Sequence, residues 1–130
     1  MPSFSTPPTL DDIVALADRA LGSVPSHLAQ NVRALSIVVE EIADDDTLDD
    51  MGMESGYDLT GLYRGTPMHL RSANDTAQEP DMIFLYREPI LLEWIETGED
   101  LYRLVRNVLI HEVAHHFGFD DAQIAALEAE

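Results

Sequence analysis

Five consecutive residues, His111-Glu112-Val113-Ala114-His115, have the types and the spacing that bind a metal ion and handle protons beside it. On a helix, four residues make slightly more than one turn, so His111 and His115 project from one face, about 6 Å apart along the axis. Both imidazoles can then reach a single ion. Glu112 lies one residue step away, where its carboxylate can hold a water without taking a coordination position. The pattern therefore predicts a metal site with a general base.

The third protein ligand of this site must come from outside the five residues, because a catalytic zinc ion takes three and leaves its fourth position to water. The chain has no Cys, so any ligand is nitrogen or oxygen, and only fifteen residues follow His115. We therefore expect a nearby ligand. Gly118 can adopt the left-handed conformation that ends a helix, and the turn would bring back a side chain two or three residues later. Asp121 stands at that place, with Asp120 as its competitor.

The helix that carries the motif is predicted to begin at Thr97 or Gly98 and to run to Gly118. A helix from Pro89 to about Ile95 precedes it, and a short acidic helical piece, Ala122 to Glu130, follows it. The motif helix has one apolar stripe that would face a core, formed by Leu101, Leu104, Val105, Val108 and Leu109.

Earlier in the chain, alternation of side chains predicts a short strand over 35–40, and apolar runs bounded by turn residues predict two more, over 61–67 and 82–87. A helix before them begins at the cap Thr9 and ends at Gly22. The acidic stretch Asp44 to Asp50 is expected to form a solvated loop or an exposed helical turn. Strands separated by helices, without strict alternation, indicate an α+β fold with a small sheet.

Residues 111–121 follow the pattern HExxHxxGxxD, and here the sequence resembles the zincins. More closely, it looks like the bacterial minimal zincins, a family of predicted zinc-dependent proteases. The segments Gly61–Pro67 and Pro80–Ile90 look like the family's other recurring segments, so the resemblance covers roughly residues 60–121. The first half of the chain matches only in its outline of a helix followed by a strand.

The resemblance implies a minimal zincin-like fold, in which a small mixed sheet packs against helices, and one zinc ion held by His111, His115 and Asp121. It implies a metallopeptidase that hydrolyses peptides or unfolded proteins through a zinc-bound water activated by Glu112. Larger zincins with similar ligands place a Met-containing turn beneath the metal, but no Met follows Met82 here. The floor of the site must therefore be built differently.

Two further features of a peptidase stay open on the sequence. The first is the group that should stabilise the oxyanion. The candidates for this role are Tyr63, His69, Tyr86, Arg87 and Tyr102. The second is the sheet edge above the active helix, along which zincins commonly align substrate, and the strand at Gly61–Gly65 or the one at Met82–Arg87 could supply it.

Three hypotheses without catalysis also account for the motif. The first is a chance match on an amphipathic helix, and Gly118 and Asp121 argue against it. The second is a non-catalytic zincin-like module that binds peptides or proteins, since a chain of 130 residues offers little surface for a deep cleft. In the third, the metal staples the motif helix to the following turn. His116 points away from the metal face, so a structural role is expected for it.

Composition narrows the partners and the location. Twenty-five acidic residues against seven Arg and no Lys give a formal charge of −18, a field that repels phosphate backbones and attracts metal cations and basic substrates. No nucleic acid is expected. The longest apolar runs, such as Ile90-Leu91-Leu92, are far below the roughly 20 residues of a membrane span. The lack of Cys and of a signal-like start favours the cytoplasm. We expect one domain over residues 1–130, with about residues 1–8 flexible.

Overall fold

The computed structural model describes residues 6–24, 35–65, 81–119 and 121–128. The fold is α+β, as predicted, with helices packed against a mixed sheet of three strands within these residues. In chain order the elements are α1 (Leu10–Leu21), β1 (Ser36–Glu40), α2 (Asp45–Met51), a 3₁₀ turn (Gly56–Asp58), β2 (Gly61–Arg64), β3 (Met82–Tyr86), α3 (Arg87–Thr97), α4 (Leu101–Phe117) and α5 (Asp121–Glu128).

The strand β3 occupies the centre of the sheet, between β1 and β2. It pairs in parallel with β1, where Ser36 lies opposite Met82, and antiparallel with β2, where Gly61 lies opposite Leu85. Ile83 and Leu85 of β3 are fully buried, as expected for a central strand covered on its faces. Among the described strands, β2 is therefore an edge, and it is the edge that contacts α4.

The helix α4 runs through the main core. Its Val105 and Leu109 are fully buried, and they belong to the same cluster as Ile13 of α1 and Leu85 of β3. Burying a side chain of this size contributes about 1.5–3 kcal/mol. The predicted apolar stripe thus fixes the motif helix between α1 and the sheet.

The boundary between α3 and α4 differs from the prediction. The helix α3 extends two residues beyond the predicted Pro89–Ile95 at each end, and Gly98, with a φ of 69°, terminates it. Asp100 begins α4, because its carboxylate accepts a hydrogen bond from the N–H of Arg103 at 3.2 Å. The prediction that Thr97 or Gly98 starts the motif helix is wrong. Both residues belong to the end of α3, where a left-handed glycine is a better stop than a start.

The acidic stretch 44–50 forms a regular helix, the longer version of the expected exposed turn. The Asp44 carboxylate accepts a hydrogen bond from the N–H of Thr47 at 2.8 Å. Thr47 and Leu48 are buried, so the helix has an inner face despite its charges. Acidic residues in the first turn also suit the positive end of the helix dipole, which explains why like charges do not prevent the helix.

The start of the described chain is packed against the fold. Pro8 is fully buried, and its carbonyl accepts a hydrogen bond from Nε of Arg87 at 2.6 Å. Pro8 is the last residue of the stretch over which a flexible start is expected, and residues 1–5 of that stretch lie outside the described part. Within the described residues, no helix combines the length and apolar character needed to cross a membrane.

Candidate metal centre

The motif occupies the last two turns of α4. Gly118 ends the helix in the left-handed conformation predicted for it, with a φ of 73°. Its N–H donates to the carbonyl of His115 at 3.1 Å, and the N–H of Phe119 donates to that of Ala114 at 3.0 Å. These bonds satisfy the carbonyls at the helix end. The chain is thereby turned back immediately after the second histidine.

His111, Glu112 and His115 come together on one face of α4. The two imidazole rings lie 4.7 Å apart between centroids, at an angle of 68°. One ligand atom from each of the three residues lies within 4.8 Å of the other two. Both histidines are exposed, whereas Glu112 is buried with 6% of its surface accessible.

This donor set fits a zinc ion. Two nitrogen ligands on a tetrahedral zinc are about 3.4 Å apart, given bonds of about 2.0–2.1 Å. Small rotations of the exposed rings of His111 and His115 would bring their nitrogens to that separation. Burial lowers the pKa of His115, which favours the neutral imidazole that coordinates metals. Geometry and protonation are therefore both compatible with an ion on this face.

Glu112 has the surroundings of a general base. Burial raises the pKa of Glu112, while the positive field of His111 and a hydrogen bond from the main-chain N–H of Tyr63 partly offset that rise. Its Oε1 also lies 3.1 Å from Nδ1 of His115. A raised pKa makes the carboxylate a stronger base than an exposed glutamate. Its contacts hold it in one orientation beside the two imidazoles.

The edge strand β2 lies directly against this part of α4. A Cβ atom added at Gly61 would be 2.7 Å from Cγ1 of Val108 and 3.3 Å from Cγ of Glu112. Only a residue without a side chain allows so close an approach. The approach brings the main chain of Tyr63 within hydrogen-bonding reach of Glu112. The sequence marks Gly61 as a strand boundary but gives no sign that it faces the motif.

A buried polar cluster joins α4 to the sheet one helical turn beyond Glu112. The hydroxyl of Tyr63 lies 3.2 Å from Nδ1 of His116 and donates to Oδ1 of Asp81 at 3.1 Å. His116 is 2% exposed, in keeping with the structural role expected for it. The sequence does not single out Asp81, because its neighbours become visible only once β2, β3 and α4 are packed together.

The described candidates for the oxyanion role all make other contacts. The Tyr63 hydroxyl belongs to the buried cluster, and Arg87 pairs with Glu41 at 2.9 Å. The guanidinium carbon of Arg19 lies over the ring of Tyr102, 4.1 Å from the ring centroid. Tyr86 lines a separate acidic cleft together with Arg64, Asp44 and Asp50. His69 lies outside the described residues.

The third ligand stays a prediction. Asp121 is the first residue of α5, three residues after Gly118. The side chain of Asp121 and the whole of Asp120 lie outside the described part of the chain, and the choice between them is not tested.

A cleft of about 400 Å³ opens beside the motif. Its lining includes His111 and Glu112 of the motif, together with Leu104 and Val108 from the preceding turns of α4. Residues of α3 and of the segment that joins α3 to α4 also line it. The motif thus faces a concave space of the size in which ligands bind.

One comparison with known proteins identifies a family. Residues 32–130 match the model of a family described as zincin-like metallopeptidase, which covers about three quarters of the chain and includes the complete motif. No curated protein matches the sequence.

Proposed function

We propose that this chain, which belongs to the zincin-like metallopeptidase family, hydrolyses peptide bonds with one zinc ion and with Glu112 as general base. The observation that carries the proposal is the cluster of His111, Glu112 and His115, in which a buried carboxylate lies beside two exposed imidazoles. The expected substrates are peptides or unfolded segments of proteins, since the family is one of peptidases.

His111 and His115 would hold the ion, and Asp121 is the proposed third ligand. When bound, zinc lowers the pKa of water toward about 7 and polarises the peptide carbonyl. Asp121 is supported by the left-handed Gly118, which ends α4 three residues before it. An aspartate oxygen is also a normal zinc ligand beside two histidines.

Glu112 would take a proton from water and pass it to the leaving amine. Its burial strengthens it as a base, and the N–H of Tyr63 steadies its carboxylate. Because the hydrogen bond comes from the main chain of β2, it does not depend on the identity of the side chain at position 63. The proton carrier is therefore positioned by the sheet as well as by its own helix.

The edge of β2 is the proposed docking site for the substrate main chain. Of the two strands considered from the sequence, β3 is central in the described sheet, which leaves β2. Tyr86 donates its N–H to the carbonyl of Thr60 at 2.9 Å, so alternation along an antiparallel pair turns the main-chain groups of Gly61 and the carbonyl of Tyr63 away from β3. The N–H of Tyr63 also points away from β3, but it is bonded to Glu112 and does not pair with substrate. An extended peptide can pair with groups on such an edge.

A paired substitution tests the proposal. The wild-type chain should bind about one zinc ion and cleave an unstructured protein, and Glu112→Gln should keep the ion while losing most of the cleavage. Glu54→Gln is the matched control, because it removes one exposed carboxylate far along the chain from the motif. Cleavage that survives in Glu112→Gln would refute Glu112 as the base.

A non-catalytic binding module is the second candidate. The described candidates for the oxyanion role favour this module, because their polar groups are engaged elsewhere. Tyr63, Arg87 and Tyr102 make other contacts, and Tyr86 lines a separate cleft. Stoichiometric zinc binding by a chain that cleaves no member of a broad peptide library would support this candidate over the peptidase.

A further inference from the structure

We propose that the cleft beside His111 receives the cationic side chain, lysine or arginine, of a substrate residue that flanks the scissile bond. This inference rests on the proposed function and adds a substrate class to it. The residues that determine the preference are Glu93 of α3 and Glu99 of the segment between α3 and α4, both of which line the cleft.

The shape of the cleft is suited to a long side chain. On α4, Leu104, Val108 and His111 follow one another at helical spacing, and all three line the cleft. Seven residues of helix separate Leu104 from His111, which corresponds to about 10 Å along the axis. A side chain that enters beside the motif would therefore pass over Val108 and Leu104, and these apolar groups can contact the methylene stem of lysine or arginine.

The charge of the cleft points to a cation. Its described lining contains the carboxylates of Glu93 and Glu99 in addition to Glu112, and it contains no Arg. Glu99 accepts a hydrogen bond from the N–H of Asp100 at 3.3 Å, which leaves its other oxygen for a ligand. Glu93 is half-buried, and its carboxylate makes no hydrogen bond or ion pair within the described residues. A concave wall with one sign of charge concentrates the electrostatic potential.

The expected preference is moderate, because Glu99 is exposed and Glu93 is only half-buried. An ion pair at such a site contributes up to about 1 kcal/mol, or roughly fivefold in a rate or binding ratio. Two carboxylates together should favour a cationic side chain by about tenfold. The preference should shrink at 1 M salt, where the Debye length falls to about 3 Å.

The test uses pairs of peptides that differ at a single residue next to the cleaved bond, which is lysine in one peptide and norleucine in the other. One pair has this residue on the amino-terminal side of the bond, and a second pair has it on the carboxyl-terminal side. Norleucine keeps the four-carbon stem and lacks the ammonium group. In the zinc-loaded wild type, the ratio of kcat/KM for lysine over norleucine should be about tenfold. It should fall toward one in the Glu93→Gln, Glu99→Gln double variant. Glu96→Gln, which removes an exposed carboxylate from α3 outside the cleft, should keep the ratio.

A binding measurement separates this inference from the proposed function. The same peptides are titrated into zinc-loaded Glu112→Gln protein and followed by fluorescence anisotropy. A tenfold preference for lysine in binding, lost when Glu93 and Glu99 are also changed to Gln, supports the cleft even if the wild type cleaves nothing. Equal binding and equal cleavage of the two peptides would overturn it while leaving the peptidase intact. If the double variant does not fold, a lysine preference in the wild type that is unchanged at 1 M salt would also overturn it.

Discussion

The close contact between β2 and α4 at Gly61 leads to a sharp prediction about Gly61→Ala. The added methyl would lie 2.7 Å from Cγ1 of Val108, whereas ordinary contact begins at 3.4 Å. Either the Val108 side chain must leave its rotamer or one of the two elements must move by about 0.7 Å, the difference between these distances. Gly61 is outside the set of glycines with a positive φ, so alanine meets no backbone strain there.

The sign of the change in stability caused by Gly61→Ala shows whether the close contact with Val108 or the entropy of the unfolded chain dominates. Without the contact, alanine in place of a strand glycine would stabilise the fold by about 0.4–1 kcal/mol, because it restricts the unfolded chain. Overpacking instead destabilises by about 1–3 kcal/mol. We expect the free energy of unfolding to fall by that amount. Displacement of β2 should also weaken the hydrogen bond from Tyr63 to Glu112, and misplacement of a catalytic group on this scale lowers kcat/KM about tenfold or more.

A double-mutant cycle with Val108→Ala isolates the contact. Val108→Ala alone should destabilise by about 1 kcal/mol, since its side chain is half-buried. It also removes the Cγ1 atom that the new methyl meets. In urea titrations followed by circular dichroism, the double variant should be more stable than the sum of the two single changes by about 1 kcal/mol, with an unchanged m-value. Additivity within about 0.5 kcal/mol would refute the proposed contact.

Three further predictions concern stability and metal binding. Burial raises the pKa of Tyr86 from its ordinary 10 to about 12, so its neutral form contributes stability that is complete below pH 10 and lost as the pH rises to 12; roughly 2–3 kcal/mol of unfolding free energy should disappear over that range. Tyr86→Phe should flatten this decline in urea titrations, and parallel curves would contradict the assignment. Tyr63→Phe removes the hydroxyl between His116 and Asp81 and should destabilise by about 1–3 kcal/mol. It should keep far more activity than Glu112→Gln, because the main-chain bond to Glu112 remains; equal losses would show that the hydroxyl itself takes part. Zinc at a hundred times its Kd should stabilise the fold by about 2.7 kcal/mol, and His111→Ala should abolish most of the rise in melting temperature. An equal rise in that variant would place the ion elsewhere.

The parts of the site that could be predicted from the sequence are those that depend on neighbouring residues. The spacing of His111 and His115 fixes their common face, and the glycine at 118 fixes where the helix turns. The capping box at Thr9 is equally local, and the structure shows both of its hydrogen bonds, at 2.8 and 3.1 Å. Helical periodicity and turn chemistry act over only a few residues, so the residues themselves carry the information.

The parts that could not be predicted depend on contacts between distant segments. Glu93 and Glu99 resemble ordinary exposed acids in the sequence until α3 and α4 enclose a cleft between them. Asp81 joins His116 and Tyr63 only because β3 lies between β1 and β2. The boundary at Gly98 differs from the prediction because a glycine beside a threonine can begin a helix or end one, and local sequence does not decide between the two.

The orientation and the pKa of Glu112, the proposed base, depend on the strand β2, which lies outside the motif. A helix with the HExxH pattern places Glu112 near the histidines. Burial against β2 and the N–H of Tyr63 then set the orientation of its carboxylate, and the two have opposite effects on its pKa. Burial favours the protonated form, and the hydrogen bond favours the carboxylate that accepts a proton. Loosening β2 would weaken both effects together. Substitutions at Gly61 should therefore change the rate of hydrolysis more than the affinity of His111 and His115 for zinc.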